Sequence, residues 1–252
     1  MHGGSVTSER FGANPVPEVA LEAPRVAGHA PAVRRMFDRI SPTYDLLNRL
    51  LSWGVDRRWR DRALDMLTDG LPDGPVLDSC AGTLDLTAAL ARRLPGRTLV
   101  AADFAGAMLR LGRAKAETAA LTLADATRMP FASGRFAGIA CAFGMRNLGD
   151  VRAGLAEAHR VLAPGGVFVI LEFFRPTHAL TRVFHAVYAR AVLPWVGRLV
   201  SGDGEAYGYL SRSMRAFLSR AEMEDALREA GFSAVRGEEL TFGIASLVRG
   251  VK

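Results

Sequence analysis

Two acids and a loop of small residues carry the chemistry most legible in this chain. Residues 76–87 read Val-Leu-Asp-Ser-Cys-Ala-Gly-Thr-Leu-Asp-Leu-Thr, an apolar run ending in Asp78 that gives way to small side chains. A second acid, Asp103, closes the next apolar run. Strand, small-residue turn, helix, then strand ending in an acid is the order that builds a nucleotide crevice. Gly82 lets the backbone approach a ligand closely, and Asp103 can accept hydrogen bonds from ribose hydroxyls. The loop is not Gly-x-Gly-x-x-Gly and lacks the Lys-Ser/Thr of a P-loop. A nucleoside without a pyrophosphate, such as S-adenosylmethionine, therefore suits it better than NAD or ATP. The competing reading is an ordinary strand-to-helix turn of an α/β domain.

The elements that must position these residues follow from hydrophobic periodicity. Strands are predicted at 76–79, 98–102, 120–124, 137–142 and 167–173, with helices at 84–94, 105–118 and 150–162 between them. Asp150 is the predicted N-cap of the last helix, and Pro164-Gly165-Gly166 turns the chain into the next strand. Such alternation implies a mostly parallel sheet with helices on both faces. Ser219 and Glu222 have the spacing of a capping box, opening a helix that stops at Gly231. The runs 233–239 and 242–249 read as an antiparallel hairpin at the sheet edge. Residues 1–29 lack periodicity and read as a flexible leader, leaving 30–252 as one domain. Within it, 30–70 form a helical cap ending in a helix that carries Trp59, Ala63, Leu64 and Leu67. Residues 175–216 form an apolar helical insertion.

Composition narrows the setting. Cys80 and Cys141 are too few for a disulfide framework and point to a reducing compartment. The first residues show no basic stretch followed by an apolar one, and no apolar run approaches the roughly 20 residues that span a bilayer. The expected location is cytoplasmic, with peripheral contact at the inner face of the membrane second. A net charge of +6, nearly all of its base arginine, reads first as solvated surface and next as attraction to anionic lipid. With no RNA-binding signature and no zinc-ligand spacing, neither a nucleic-acid partner nor a metal is expected.

Several motifs in order then resemble one family. Met36-Phe37-Asp38-Arg39-Ile40-Ser41-Pro42-Thr43-Tyr44-Asp45-Leu46-Leu47-Asn48, Ser52-Trp53-Gly54-Val55-Asp56-Arg57-Arg58-Trp59-Arg60 and Phe143-Gly144-Met145-Arg146-Asn147-Leu148 are similar to signatures of the menaquinone/ubiquinone biosynthesis C-methyltransferases, the UbiE/MenG type. The resemblance runs from about Val33 to the C-terminus. It implies a class I S-adenosylmethionine-dependent methyltransferase, α/β and Rossmann-like, with six parallel strands and one antiparallel. It implies that Gly82 and Thr83 meet the cofactor's amino-acid portion and that Asp103 binds its ribose. Asp125 and Ala126 would grip the adenine, and Ala142 would offer backbone only. The implied substrate is a prenylated quinol whose ring must be ionised to become nucleophilic. Arg146 would stabilise the phenolate and Asn147 would orient the ring oxygen, with Tyr44 and Asp45 closing over the cofactor. Phe184, Tyr188, Val192, Leu193, Trp195 and Leu199 of the insertion would line a groove for the prenyl tail, or else serve as core or as a homodimer contact.

The chain departs from the family pattern at Leu84, where a glycine is usual. We expect Leu84 to lie in the first helical turn, where it is a good helix former. Ala137 and Leu218 are further departures, and they leave room for a paralogue acting on a small phenolic or polyketide-like ring. A non-catalytic scaffold for quinone-biosynthesis enzymes and an RNA methyltransferase are the remaining alternatives. Strand order also makes a geometric demand: Cys80 and Cys141 should lie together, because the first and fourth strands are neighbours.

Overall fold

A computed structural model describes residues 54–177 and 213–252. Their centre is a seven-stranded sheet in the order β3-β2-β1-β4-β5-β7-β6. The strands are β1 (Val76–Ser79), β2 (Leu99–Asp103), β3 (Ala120–Leu123), β4 (Phe136–Ala142), β5 (Leu162–Glu172), β6 (Ser233–Leu240) and β7 (Ala245–Val251). The first five pair in parallel, and β7 runs antiparallel to both β5 and β6. The implied six-plus-one arrangement is therefore present.

Alternation along the strands explains why both faces are covered. In β5, Val167, Val169 and Leu171 enter one core with Trp59, Leu64, Leu67, Leu90 and Leu247. Phe168 and Ile170 enter the opposite core with Leu77, Ile139, Leu155, Leu227 and Val248. Successive side chains point to opposite faces, so a strand covered on both sides reads as a continuous apolar run. Helices α1 (Asp56–Thr68), α2 (Asp85–Arg93), α3 (Gly106–Gly112), α4 (Val151–Val161) and α5 (Arg220–Glu229) supply the covering layers. Asp150 caps α4 by accepting from the Ala153 amide at 3.0 Å. Ser219 and Glu222 form the reciprocal capping box of α5. The C-terminus of α1 is satisfied from the sheet, where Arg249 of β7 donates to the carbonyls of Met66 and Asp69.

Three expectations need correction. The predicted helix 105–118 is only α3 followed by one 3₁₀ turn, Arg113–Lys115. The β4–β5 ladder begins at Phe136–Leu162 and shifts register to Gly138–Val167, so Pro164-Gly165-Gly166 is taken up as an irregularity within β5. The last hairpin is not wholly at the edge. Of its two strands β6 lies at the edge, while six of the seven residues of β7 are buried between β5 and β6.

Candidate active site

The carboxyl ends of β3, β2, β1 and β4 lie side by side, and each delivers a residue singled out from the sequence. Asp125 follows β3, Asp103 ends β2, Gly82 and Thr83 follow β1, and Ala142 ends β4. The chain then enters a 3₁₀ turn, Met145–Asn147, that holds Arg146 and Asn147 at the same edge. Ligands of open α/β sheets bind at this edge. Tyr44 and Asp45, and all six residues of the predicted tail groove, lie outside the described residues.

Asp103 has a structural task that the sequence did not disclose. One carboxylate oxygen accepts from the Gly82 amide at 2.8 Å, and the other from the Ala105 amide at 2.8 Å. It thereby fixes the β1–α2 loop against the turn into α3. Gly82 sits at φ 53°, and a Cβ there would meet nothing within 4 Å among the described residues, which leave that face of the loop open. Asp125 stabilises its own turn, its side chain accepting from the amide and hydroxyl of Thr127 at 2.9 and 2.8 Å, with Ala126 between them. Thr83 is buried, and its carbonyl faces Gly112 of α3.

Leu84 overturns the expectation made for it. It is the residue before α2, at φ 65° and ψ 21°, and not part of the helix. Leucine occupies the left-handed region that a glycine would hold without steric cost. What holds it there is burial: the side chain is wholly enclosed in the core, beside Leu86 and Leu90. Cys80 and Phe143 are likewise at positive φ, 60° and 58°. Three strained non-glycine residues thus border one crevice, the kind of clustering found at functional sites.

Asp78 and the thiols lie beneath the loop. Asp78 is fully buried; its Oδ2 accepts from the Thr87 hydroxyl at 2.5 Å. Among the described residues its Oδ1 has no hydrogen-bond partner. Burial pushes its carboxyl up to about 7, against the opposing hydrogen bond from Thr87. Cys80 and Cys141 do meet, since a Cβ on Gly144 would lie 2.8 Å from one sulfur and 3.0 Å from the other. Hydrogen bonding to Cys80, then burial, pushes the Cys141 thiol up.

The side chain of Arg146 is only 8% exposed, and it is held by a residue that sequence reasoning overlooked. Its Nη1 donates to Glu172 Oε1 at 2.5 Å and to the Phe143 carbonyl at 2.8 Å. Its guanidinium carbon lies 5.6 Å from the centre of the Phe173 ring. Phe173 packs on Phe143 and against the edge of Trp59, whose indole N–H donates to Thr241. Among the described residues the buried Nε of Arg146 has no partner. Asn147 donates to the same Phe143 carbonyl at 3.2 Å. Glu172 has no solvent exposure, and burial pushes its carboxyl up while the Arg146 charge pulls it back. The available signal was an acid closing the apolar run Val167–Leu171, the rule already applied to Asp78 and Asp103.

Asp78 lies at the end of β1, just before the loop, and its buried oxygen without a partner among the described residues suits a ligand whose amino-acid end carries positive charge, so these residues fit S-adenosylmethionine. Among the described residues no group of His, Cys, Asp and Glu could hold a metal ion. No described helix is long and apolar enough to cross a membrane.

Comparison with known proteins supplies a family and a fold. The model of the ubiE/COQ5 methyltransferase family matches residues 25–252. A demethylmenaquinone methyltransferase of Thermus thermophilus is 46% identical over 216 residues, covering 84% of this chain and 97% of that protein. The ubiquinone/menaquinone biosynthesis C-methyltransferase UbiE of Syntrophotalea carbinolica is 40% identical over 224 residues, covering 87% and 93%. Among solved structures, a Haemonchus contortus phosphoethanolamine N-methyltransferase complexed with S-adenosylhomocysteine superposes with a TM-score of 0.64 at 14% identity, covering 91% of this chain and 61% of that one. At that identity the likeness speaks for the fold alone.

Proposed function

This chain belongs to the ubiE/COQ5 methyltransferase family, and from that premise we propose that it methylates a ring carbon of a prenylated quinol in quinone biosynthesis. Demethylmenaquinol is the favoured substrate and the benzoquinol of the ubiquinone pathway the second. S-adenosylmethionine supplies an electrophilic methyl group. Gly82 and Thr83 would border its amino-acid portion, Asp103 its ribose, Asp125 and Ala126 its adenine, and the Ala142 backbone its flank.

The observation that carries the reading is the buried guanidinium of Arg146, anchored on one side and bearing a buried Nε with no partner among the described residues. A quinol carbon becomes nucleophilic when the neighbouring hydroxyl ionises, and free phenols ionise near 10. A guanidinium about 4 Å from the phenolate, at an effective dielectric of about 20, contributes roughly 4 kcal/mol, or about three pK units. That is the magnitude needed to ionise the ring near neutral pH. Arg146 supplies this field less the part that the paired carboxylate of Glu172 offsets, and Asn147, fixed to the same carbonyl, orients the ring oxygen. Tyr44 and Asp45 would close over the crevice.

A lipid substrate also calls for contact with a membrane surface, and one described feature supports it. The β6–β7 turn carries Phe242, 88% exposed. Arg62 of α1 pairs with Glu238 at 2.7 Å and Trp59 donates to Thr241 at 2.8 Å, so the start of α1, with the exposed Arg58, runs toward the tip that bears Phe242. An aromatic tip flanked by arginine suits an anionic bilayer. The groove and homodimer readings of 175–216 stand as proposals alongside this one.

Lipid extracts of a strain lacking the gene test the reaction. Mass spectrometry should show a quinone lighter by one methyl group, restored by the wild-type gene and not by an Arg146→Gln variant. An unchanged quinone profile would overturn the proposal.

A further inference from the structure

We infer that Glu172 is a positioning residue for the methyl transfer, fixing the Arg146 guanidinium by one nitrogen so that its remaining edge is held for the substrate oxygen. The inference rests on the role proposed for Arg146 and deepens it. Glu172 grips the neighbouring chain at more than one point. Besides the Arg146 Nη1 contact, its carboxylate accepts from the Phe173 amide at 2.8 Å and, at 3.3 Å, from the Arg146 amide. Both the backbone and the side chain of Arg146 are therefore tied to one carboxylate. With the Phe143 carbonyl on the same nitrogen and the Phe173 ring beside the guanidinium, the rotamer is held from three sides.

A purely structural account does not explain the choice of residue. Glu172 ends a strand whose preceding five residues are buried and apolar, paired to β4 and β7. An ion pair in such a place is usually no more stabilising than well-packed apolar side chains. The groups around it are Arg146, the protonated Cys141 thiol, and Ser246 across the β7 pair. Arg146 is the cation on which the carboxylate acts. Its negative charge offsets part of the guanidinium's field, so its benefit lies in orientation rather than in added positive potential. Preorganisation of that kind is felt in turnover far more than in cofactor binding.

The test compares Glu172→Gln, Glu172→Asp, Arg146→Gln and the double variant Glu172→Gln/Arg146→Gln in the full-length protein. Readouts are turnover on demethylmenaquinol in detergent micelles and S-adenosylhomocysteine affinity by calorimetry. Glu172→Gln should lower kcat by about 10- to 100-fold and leave S-adenosylhomocysteine affinity within about twofold. Glu172→Asp, which keeps the charge, should retain more activity than Glu172→Gln, and the double variant should be no worse than Arg146→Gln alone. Parallel losses in kcat and nucleoside affinity, multiplicative losses in the double variant, or Glu172→Gln activity within twofold of wild type would overturn the inference. If Glu172→Gln fails to fold, Glu172→Asp decides: reduced kcat with unchanged nucleoside affinity supports positioning, and equal losses refute it. Full activity in Arg146→Gln would instead remove the premise about Arg146, a result separable from all of these.

Discussion

Leu84→Gly sets two effects of known sign against each other. Glycine would relieve the left-handed backbone at φ 65°, a gain of roughly 1–2 kcal/mol. It would also raise the entropy of the unfolded chain, costing about 0.5–1 kcal/mol, so the backbone contributions leave a net gain of only about 0.5–1 kcal/mol. The side chain then decides. Leu84 is wholly buried, and truncating such a leucine costs about 2–5 kcal/mol in lost transfer energy and cavity formation. The net expectation is destabilisation by about 3 kcal/mol, which in a chain of this size lowers Tm by roughly 6–12 °C. Thermal unfolding by circular dichroism, with urea titration as the equilibrium check, measures it. A glycine variant as stable as the wild type, or more so, would show that backbone strain outweighs packing at the loop and would refute the reasoning.

Gly112→Ala would drive a methyl into the Thr83 carbonyl and to 2.7 Å from Leu84 Cγ. Calorimetry should show S-adenosylhomocysteine affinity reduced tenfold or more, and unchanged affinity would mean the loop is not held by α3. Asp78, raised from 3.8 to about 7, binds more protons folded than unfolded between those values. Its contribution is thus present at low pH and lost as pH rises toward 7. Asp78→Asn should accordingly gain stability relative to wild type across that window and hold a constant difference above it, as read from urea unfolding at several pH values; a pH-independent difference would contradict the raised carboxyl. Phe242→Ser should weaken sedimentation with anionic vesicles severalfold while leaving turnover on micellar substrate unchanged. Equal binding would remove the turn from the membrane contact.

The strands were legible because sheets covered on both faces demand apolar runs, and β1, β2 and β4 are such runs. Asp150 and Ser219-x-x-Glu222 were legible because capping is local chemistry. The order of β7 and β6 was not, since which strand of a hairpin enters a sheet depends on what β5 can pair with. Leu84 was misread for a related reason: helix propensity describes the backbone a residue prefers, while enclosure in the core selected a backbone it avoids. Asp103 does end the second strand, as the apolar run indicated, but its hold on the Gly82 and Ala105 amides needed coordinates. Glu172 was missed because an acid closing the fifth strand acquires its task only when the 3₁₀ turn after β4 brings Arg146 beside it.

The position of β7 also fixes an order of events. During synthesis β6 emerges before β7, yet its neighbour in the finished sheet is β7 alone. Two of the seven strands, β6 and β7, therefore cannot join the sheet until residues 245–251 are available, and Lys252 then locks them, its Nζ donating to the Arg160 and Leu162 carbonyls. Removing the last seven or eight residues would do more than fray an end. It would leave β5 with a bare rim, the kind of exposed strand edge along which chains aggregate.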